Sequence, residues 1–400
     1  MISVAGSKGG FIGPLRKADI YLMNRMLSGR LRPAELEAHL RERSRPSIGL
    51  VVNNSCNLSC SHCYLQVERL LNKPLTLAEW RSFSRDAIEA GAALLSICGK
   101  EPLLGRRGVE LLGELMKLRD RSGRDTRVGI ITNGTLLDRH RSTLLSIDPD
   151  FLDVSIEGLP ALNDQVRGPG SFDRALPNIR WGASTLGQRF FLALTLQRLN
   201  YRHAESTARY FIRQGVGNLF LSFYQAQQCS DKMLSLRQND IEEVFDGLSW
   251  VGRLDTGRQP LDVYVDLGFA APAVLQTFLA SRWFDPEKLE TDDTGIYFVR
   301  HQWRNGATLH FRFSLFPLSF WHTARVTPEG LYLGAEDTMD TSRYEAVAVA
   351  NVRDFEGDFP RLQKHALGSR RFRAVMDEFW ETAMPGLVRG LRKAWGSRAA

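Results

Sequence analysis

Residues 47–63 read SIGLVVNNSCNLSCSHC, and this stretch decides the fold. Its first seven residues are mostly apolar and predict a buried strand that ends near Asn53. Three of the five cysteines follow within eight residues, at Cys56, Cys60 and Cys63. A structural zinc site needs four closed ligands, and an ordinary [4Fe–4S] cluster needs four thiolates. Three thiolates on one loop can instead hold three irons of a cubane and leave the fourth iron open to a reactant.

The CxxxCxxC spacing directly after an apolar strand resembles that of the radical S-adenosylmethionine (SAM) enzymes. The cysteines alone leave two other interpretations open. One is a zinc loop completed by a fourth ligand such as His62, and the other is a redox pair. Further matching segments in the same chain order favour the radical SAM resemblance. That resemblance implies one [4Fe–4S] cluster on Cys56, Cys60 and Cys63, with SAM bound at its open iron.

Six strand patterns alternate with five helix patterns between residues 47 and 224. The predicted strands are 47–53, 93–98, 127–132, 151–157, 190–197 and 218–224, and the predicted helices are 76–91, 108–120, 136–146, 171–185 and 203–214. This alternation indicates an α/β fold with a parallel sheet and right-handed crossovers. Six units suit a partial, TIM-like (β/α)6 barrel, which the resemblance also implies. Functional side chains are then expected at the carboxyl ends of the strands.

The end of the second predicted strand carries a segment similar to a family motif. In the family a Gly-Gly-Glu-Pro-like segment here binds the amino group of SAM, and Gly99 and Glu101 match it. Lys100 stands where the second glycine is expected. An alternative interpretation of Glu101 is a carboxylate that the positive end of a helix dipole favours.

Three more residues match SAM-contacting positions of the family. Ser155 corresponds to a contact of the ribose or carboxylate, and Arg167 to an arginine that binds the carboxylate. The planar guanidinium suits this role because it donates two parallel hydrogen bonds. Glu157 stands where the family more often has aspartate. His62 occupies a usually aromatic position against the adenine, although it can also be interpreted as a solvated loop residue.

The remaining sequence divides into parts around this core. We predict an N-terminal helical extension at 1–46, a radical SAM core at 47–235, a connecting α/β segment at 236–310, and a small α+β C-terminal domain at 311–400. The last part resembles a SPASM-type extension, which usually binds auxiliary clusters. No cysteine follows Cys229, so we predict an extension without clusters. Its aromatic residues are expected to close the barrel mouth: Phe311, Phe313, Phe316, Phe320 and Trp321.

The resemblance also implies an activity. A low-potential donor such as flavodoxin or ferredoxin supplies an electron, SAM is cleaved to a 5′-deoxyadenosyl radical, and the radical abstracts hydrogen from the substrate. Without auxiliary clusters we expect epimerisation, rearrangement, elimination or radical addition on a small polar metabolite, in natural-product or cofactor tailoring. A ribosomal-peptide maturase and an RNA-modifying enzyme remain alternatives. Cys229 is a candidate hydrogen donor, or simply a small buried apolar residue.

Composition sets the broad class. The chain has 400 residues, of which 43% are apolar and 24% charged, and a net charge of +7. No apolar run approaches 18 residues and no apolar signal segment begins the sequence, which predicts no membrane span and a cytoplasmic location. The basic residues are interleaved with acids and form no block, which disfavours nucleic acid as a partner.

Overall fold

The computed structural model of this protein describes residues 13–43, 45–63, 73–225, 232–257, 259–267, 272–292, 294–314, 323–333 and 348–396. Within these residues the strands are β1 (Gly13–Pro14), β2 (Ser47–Val51), β3 (Leu94–Cys98), β4 (Arg127–Thr132), β5 (Phe151–Ile156), β6 (Phe190–Leu196), β7 (Asn218–Phe223), β8 (Leu261–Asp266), β9 (Leu289–Thr291), β10 (Tyr297–Gln302), β11 (Ala307–Phe313), β12 (Thr323–Val326), β13 (Leu331–Leu333) and β14 (Ala350–Asn351). The helices are α1 (Lys17–Leu27), α2 (Pro33–Arg43), α3 (Leu77–Glu89), α4 (Arg107–Ser122), α5 (Arg141–Ile147), α6 (Pro160–Arg167), α7 (Ser171–Leu186), α8 (Ala204–Ile212), α9 (Gln238–Gly247), α10 (Pro272–Ala280), α11 (Phe359–Leu367), α12 (Arg370–Glu378) and α13 (Met384–Gly396).

The strands form one continuous sheet in the order β1-β9-β10-β11-β8-β7-β6-β5-β4-β3-β2-β12-β13-β14. Strands β2 to β7 are the six predicted ones, and all their neighbouring pairs are parallel. The α/β class and the partial barrel are therefore confirmed. Parallel pairing also continues beyond the six, through β8 and β11 at one side and β12 at the other.

The parallel strands are buried on both faces, which explains their nearly unbroken apolar sequences. All seven residues of β6 are buried. One face packs against the surrounding helices and belongs to the main core. The other face points into the barrel and forms a small separate cluster: Leu94, Phe151, Phe191, Ala193, Phe220 and Tyr264. This inner cluster fills the barrel below the carboxyl ends of the strands.

The C-terminal strands join the same sheet. These strands are β11, β12 and β13, and β11 begins at Ala307, before the predicted boundary of the C-terminal domain at residue 311. β11 pairs with β8 and β12 pairs with β2, so they border the barrel from both sides. The four-part division of the chain remains a prediction.

The prediction that Phe311 and Phe313 close the barrel mouth is wrong. Their rings contact Phe278 of α10, with ring centroids 4.7 and 5.2 Å apart. They therefore face the outer helices, because alternation along β11 turns His310 and Arg312 inward instead. Phe316, Phe320 and Trp321 lie outside the described residues.

An ion pair links the C-terminal part to the first barrel helix. Thr76 and Glu79 form the predicted capping box of α3. The Nε of Arg353 donates to Glu79 Oε1 at 2.6 Å. This bond and the capping contacts lower the pKa of Glu79 to about 2. The carboxylate therefore stabilises the fold at pH values above its ordinary pKa, and this contribution disappears as the pH falls towards 2.

We expect Glu79→Gln to lower the free energy of unfolding by about 1 kcal/mol at pH 7, because a cap contact and a partly exposed ion pair are lost. Urea unfolding of the metal-free protein measures this, and the difference from wild type should shrink between pH 4.5 and pH 3. Glu205→Gln is the matched control, since Glu205 pairs with Arg209 of its own helix. A loss equal to that of the control, or independent of pH, would contradict the prediction.

Candidate active site

The cysteine loop lies at the carboxyl end of β2, the edge of the sheet where function was predicted. Cys56, Cys60 and Cys63 are half-buried free thiols. Burial raises the pKa of Cys56, and it raises that of Cys60 to about 11. A negative charge on Cys63 also raises the pKa of both Cys56 and Cys60, and a charge on Cys56 raises that of Cys60.

The donor set of this loop fits an iron–sulfur cluster. Within the described ranges, no three His, Cys, Asp or Glu side chains are grouped closely enough to hold one metal ion. A cubane does not require such grouping, because each thiolate binds a separate iron. Two hydrogen-bond donors approach Cys56 Sγ, the Leu58 N–H at 3.4 Å and Asn133 Nδ2 at 3.9 Å. Such donors stabilise negative charge on a ligating sulfur.

Hydrogen bonds hold the first half of the cysteine loop against the segments that follow β3 and β4. Asn133 Nδ2 donates to Asn57 Oδ1 at 2.9 Å, and Asn57 Nδ2 donates to Thr135 Oγ1 at 2.8 Å. The backbone N–H of Glu101 donates to the Ser55 carbonyl at 3.0 Å. The segment 132–135, which follows the third predicted strand, therefore positions the cysteine loop.

Glu101 is fully buried between the ends of β3 and β4. Its carboxylate accepts hydrogen bonds from Thr132 Oγ1 at 2.7 Å, Asn133 N at 2.8 Å and Leu103 N at 2.9 Å. Burial raises the pKa of Glu101, and the three hydrogen bonds act in the opposite direction. Since α4 begins only at Arg107, Glu101 is not a first-turn carboxylate. Its contact with the SAM amino group remains a prediction.

The backbone conformation just after β3 requires a glycine at position 99. Its φ is +101°, and an added Cβ would lie 2.4 Å from Cγ1 of Val51 on β2. A larger residue would push the end of β3 away from the strand that carries the cysteine loop. The glycine thus lets the two strand ends approach closely, and its own contact with SAM remains a prediction.

The second half of the loop is fastened to β5 and α6 through a buried charged cluster. Glu157 Oε1 accepts from Arg167 Nη2 at 2.6 Å and lies 3.2 Å from His62 Nε2. The Ser61 N–H also donates to the Val166 carbonyl at 2.9 Å. Burial alone would raise the pKa of Glu157, but the charges of His62 and Arg167 outweigh burial and lower it. His62 is thus a bonded, largely buried side chain rather than a solvated loop residue.

Three polar atoms of this cluster could still form hydrogen bonds with a ligand. Glu157 Oε2, Arg167 Nε and His62 Nδ1 are buried and make no hydrogen bond within the described structure. Unsatisfied buried polar atoms are uncommon in proteins and indicate a ligand or solvent. Ser155 is the partly exposed residue of β5, on the same face as Glu157. The structure therefore brings His62, Ser155 and Arg167 to one end of the barrel with the cysteines.

Other predicted residues have different positions. Cys229 lies outside the described residues, so its role as hydrogen donor remains a prediction. His301 bonds the Trp283 carbonyl at 2.8 Å, and His310 lies 2.7 Å from Asp262 Oδ1. Sequence reasoning missed Asp266 and Arg312, which form a buried ion pair at the ends of β8 and β11. Each is a charged residue at an inward-facing position near the end of a largely apolar strand, and this pattern in the sequence could have identified them.

Comparison with known proteins agrees with this geometry. Residues 50–211 match the family model of the radical SAM superfamily. The chain is 29% identical over 187 residues to pre-heme d1 synthase of Dinoroseobacter shibae, covering 46% of this chain and 44% of that protein. It is 30% identical over 111 residues to a probable GTP 3′,8-cyclase of Methanopyrus kandleri, covering 28% and 34%. The matches thus span less than half of these relatives.

The fold similarity reaches further along the chain. The crystal structure of Streptococcus suis SuiB bound to precursor peptide SuiA matches with a TM-score of 0.57 and 15% identity, over 88% of this chain and 79% of SuiB. Since the similar region is larger than 50–211, it includes much of the sheet outside the family match. Residues 50–211 therefore form a radical SAM domain, and the superfamily that this domain defines uses a [4Fe–4S] cluster and SAM. No helix in the described part of the chain is long and apolar enough to cross a membrane.

Proposed function

We propose that this enzyme holds one [4Fe–4S] cluster on Cys56, Cys60 and Cys63 and uses it to cleave SAM reductively. When bound, the cluster and SAM supply a 5′-deoxyadenosyl radical that abstracts hydrogen from a substrate. The observation that carries this proposal is the placement of three half-buried thiols beside buried, partly unsatisfied polar groups. The electron comes from a low-potential donor of the flavodoxin or ferredoxin type, and the reducing cytoplasm suits an oxygen-sensitive cluster.

The chain's own residues bind and orient SAM. Arg167 keeps its Nε–H for the SAM carboxylate while Glu157 holds the guanidinium in place. Ser155 offers a hydroxyl beside it, and His62 presents its ring to the adenine. Glu101 is the anionic partner of the amino group. Asn57 and Asn133 act indirectly, since their side chains hold the cysteine loop against the strand ends.

The substrate we propose is a small polar metabolite, bound where the other strands of the barrel end. The residues assigned to SAM follow β2 to β5, which leaves the ends of β6, β7, β8 and β11 for the substrate. The hydrogen-bonding side chains there favour a polar compound. A peptide maturase is the second candidate, supported by the likeness to SuiB with its precursor peptide. RNA remains a third, with no contact in the described residues that favours it.

Anaerobic incubation of the reconstituted enzyme with SAM and dithionite tests the activity. We expect 5′-deoxyadenosine and methionine in equal amounts, and neither product without the reductant. Adding deuterated candidate substrates then identifies the substrate class, because abstraction transfers deuterium into 5′-deoxyadenosine. Protein that contains its cluster and binds SAM, yet forms no 5′-deoxyadenosine, would contradict the proposal.

A further inference from the structure

We propose that Asp266 and Arg312, with Thr195, Ser222 and Gln197 beside them, form a site that recognises a zwitterionic group, an ammonium next to a carboxylate as in a free α-amino acid. The inference rests on the proposed function and narrows its substrate class. The five residues belong to the half of the barrel mouth that the SAM-binding residues leave open.

Four of the residues form one row across four neighbouring strands, and Gln197 lies two positions beyond Thr195. Thr195 of β6 pairs in register with Ser222 of β7, Ser222 with Asp266 of β8, and Asp266 with Arg312 of β11. Two contacts connect the row: Ser222 Oγ lies 3.4 Å from Thr195 Oγ1, and Arg312 Nη1 donates to Asp266 Oδ1 at 2.9 Å. The row therefore runs along the carboxyl ends of these strands.

The row faces the interior of the barrel. Two residues earlier on three of these strands stand Ala193, Phe220 and Tyr264, all members of the inner cluster. Because side chains alternate along a strand, Thr195, Ser222 and Asp266 point to the same side. The polar row thus lies directly above the apolar filling of the barrel, at the level of the cysteine loop.

Two side chains at this part of the barrel mouth are buried but lack some of their hydrogen bonds, which indicates a binding site. Gln197 is completely buried, yet neither its Nε2 nor its Oε1 makes a hydrogen bond within the described structure. Arg312 is 3% exposed, and its Nε also lacks such a bond. Leaving buried donors and acceptors unpaired costs free energy that a polar ligand recovers. The Arg312 guanidinium beside Asp266 and the Gln197 carboxamide after β6 thus both keep hydrogen-bonding atoms for a ligand on this side of the barrel mouth.

The charges of the pair decide which ligand fits. Asp266 and Arg312 together are neutral, so a ligand with one charge would satisfy one member and leave the other buried and uncompensated. A zwitterion satisfies both, since its ammonium pairs with Asp266 and its carboxylate accepts from Arg312. A residue inside a peptide carries neither backbone charge, and RNA carries only negative ones. The pair therefore favours a free amino acid over both.

The same two strands offer a matched control. Nearer the opposite end of the barrel, Asp262 of β8 lies 2.7 Å from His310 Nε2 of β11. This pair also joins β8 to β11 and also faces inward, but His310 stacks on Tyr264 of the inner cluster, with ring centroids 4.5 Å apart, and Asp262 lies four residues before Asp266 on β8. If these side-chain contacts only hold the strands together, Asp262→Asn and Asp266→Asn should behave alike. If Asp266 binds substrate, only Asp266→Asn should change ligand binding.

Thermal shifts of the cluster-loaded, SAM-bound enzyme test the inference. The probes are the twenty common free α-amino acids, each compared with its N-acetyl amide, which has lost both backbone charges. We expect at least one free amino acid to raise the unfolding temperature of wild type and of Asp262→Asn, and its blocked form to have no effect. Asp266→Asn and Arg312→Gln should weaken the apparent affinity at least tenfold.

Each other outcome overturns the inference. If the blocked amides raise the unfolding temperature as the free amino acids do, the pair does not recognise the charges of the ligand. The same conclusion follows if the variants at Asp266 and Arg312 keep wild-type affinity. Wild type that binds SAM but responds to no free amino acid refutes this substrate class and leaves the proposed function standing. Should the single variants misfold, the double variant Asp266→Asn/Arg312→Gln decides the question, because it leaves no unpaired buried charge.

Discussion

Replacing any one of Cys56, Cys60 or Cys63 by alanine is expected to abolish the formation of 5′-deoxyadenosine. Three thiolates are the minimum that can hold the cubane and keep one iron open, so two are too few. The expected loss is complete, because no other described cysteine lies on the loop to replace a sulfur ligand. Product formation under anaerobic conditions with excess dithionite measures the effect, together with the iron content of each variant.

Cys98→Ala is the matched control for these variants. Cys98 is a buried free cysteine at the end of β3, outside the cysteine loop. Its replacement should leave the iron content at the wild-type level, whereas each loop variant should lose iron. If the triple alanine variant of the loop still produced 5′-deoxyadenosine, the assignment of the cluster ligands would be wrong.

Arg167→Ala is expected to lower both the stability of the protein and its affinity for SAM. Arg167 and Glu157 are a buried ion pair, with side chains 9% and 0% exposed. Removing one partner of a buried ion pair costs about 3–5 kcal/mol when the other charge is left uncompensated, and because His62 stays beside Glu157 we expect a loss of stability towards the lower end of this range. The affinity should also fall, since a lost hydrogen bond to a charged group costs roughly 1.5–3 kcal/mol. Urea unfolding of the metal-free protein and equilibrium SAM binding to the cluster-loaded protein measure the two effects.

A double variant separates these two effects. Arg167→Gln combined with Glu157→Gln removes both charges, so we expect it to recover most of the stability that Arg167→Ala loses. It should not recover SAM affinity, because no guanidinium remains for the carboxylate. Arg202→Ala, which breaks an exposed pair with Glu243, is the control and should cost less than about 1 kcal/mol. Wild-type SAM affinity in the double variant would show that Arg167 does not bind SAM.

The six central strands could be predicted to within two residues because their physical signals are local. Each is a short apolar run between turn residues, and Thr76 and Glu79 mark the start of α3 by a capping box. Strands β9 and β10 were not predicted, since half of β10 is polar and partly exposed. The helix α6 was missed as well, although Pro160 at its first turn is a start signal.

The site was predictable only where residues are near in sequence. The cysteine spacing is local, but His62 and Glu157 are nearly a hundred residues apart and meet only through the sheet. In the sequence, Glu157 stands out only because the family more often has aspartate at this position. The structure shows that its carboxylate forms an ion pair with the Arg167 guanidinium. The wrong orientation of Phe311 has a similar origin, because the face of a strand depends on its register with β8.

Iron analysis of the anaerobically reconstituted wild-type protein, combined with Mössbauer spectroscopy in the presence and absence of SAM, tests the central claim most directly. We expect about four irons per chain in one cluster, with one iron site whose signal changes when SAM binds. An iron content near eight, a single bound metal ion, or a four-iron cluster whose spectrum SAM leaves unchanged would contradict it.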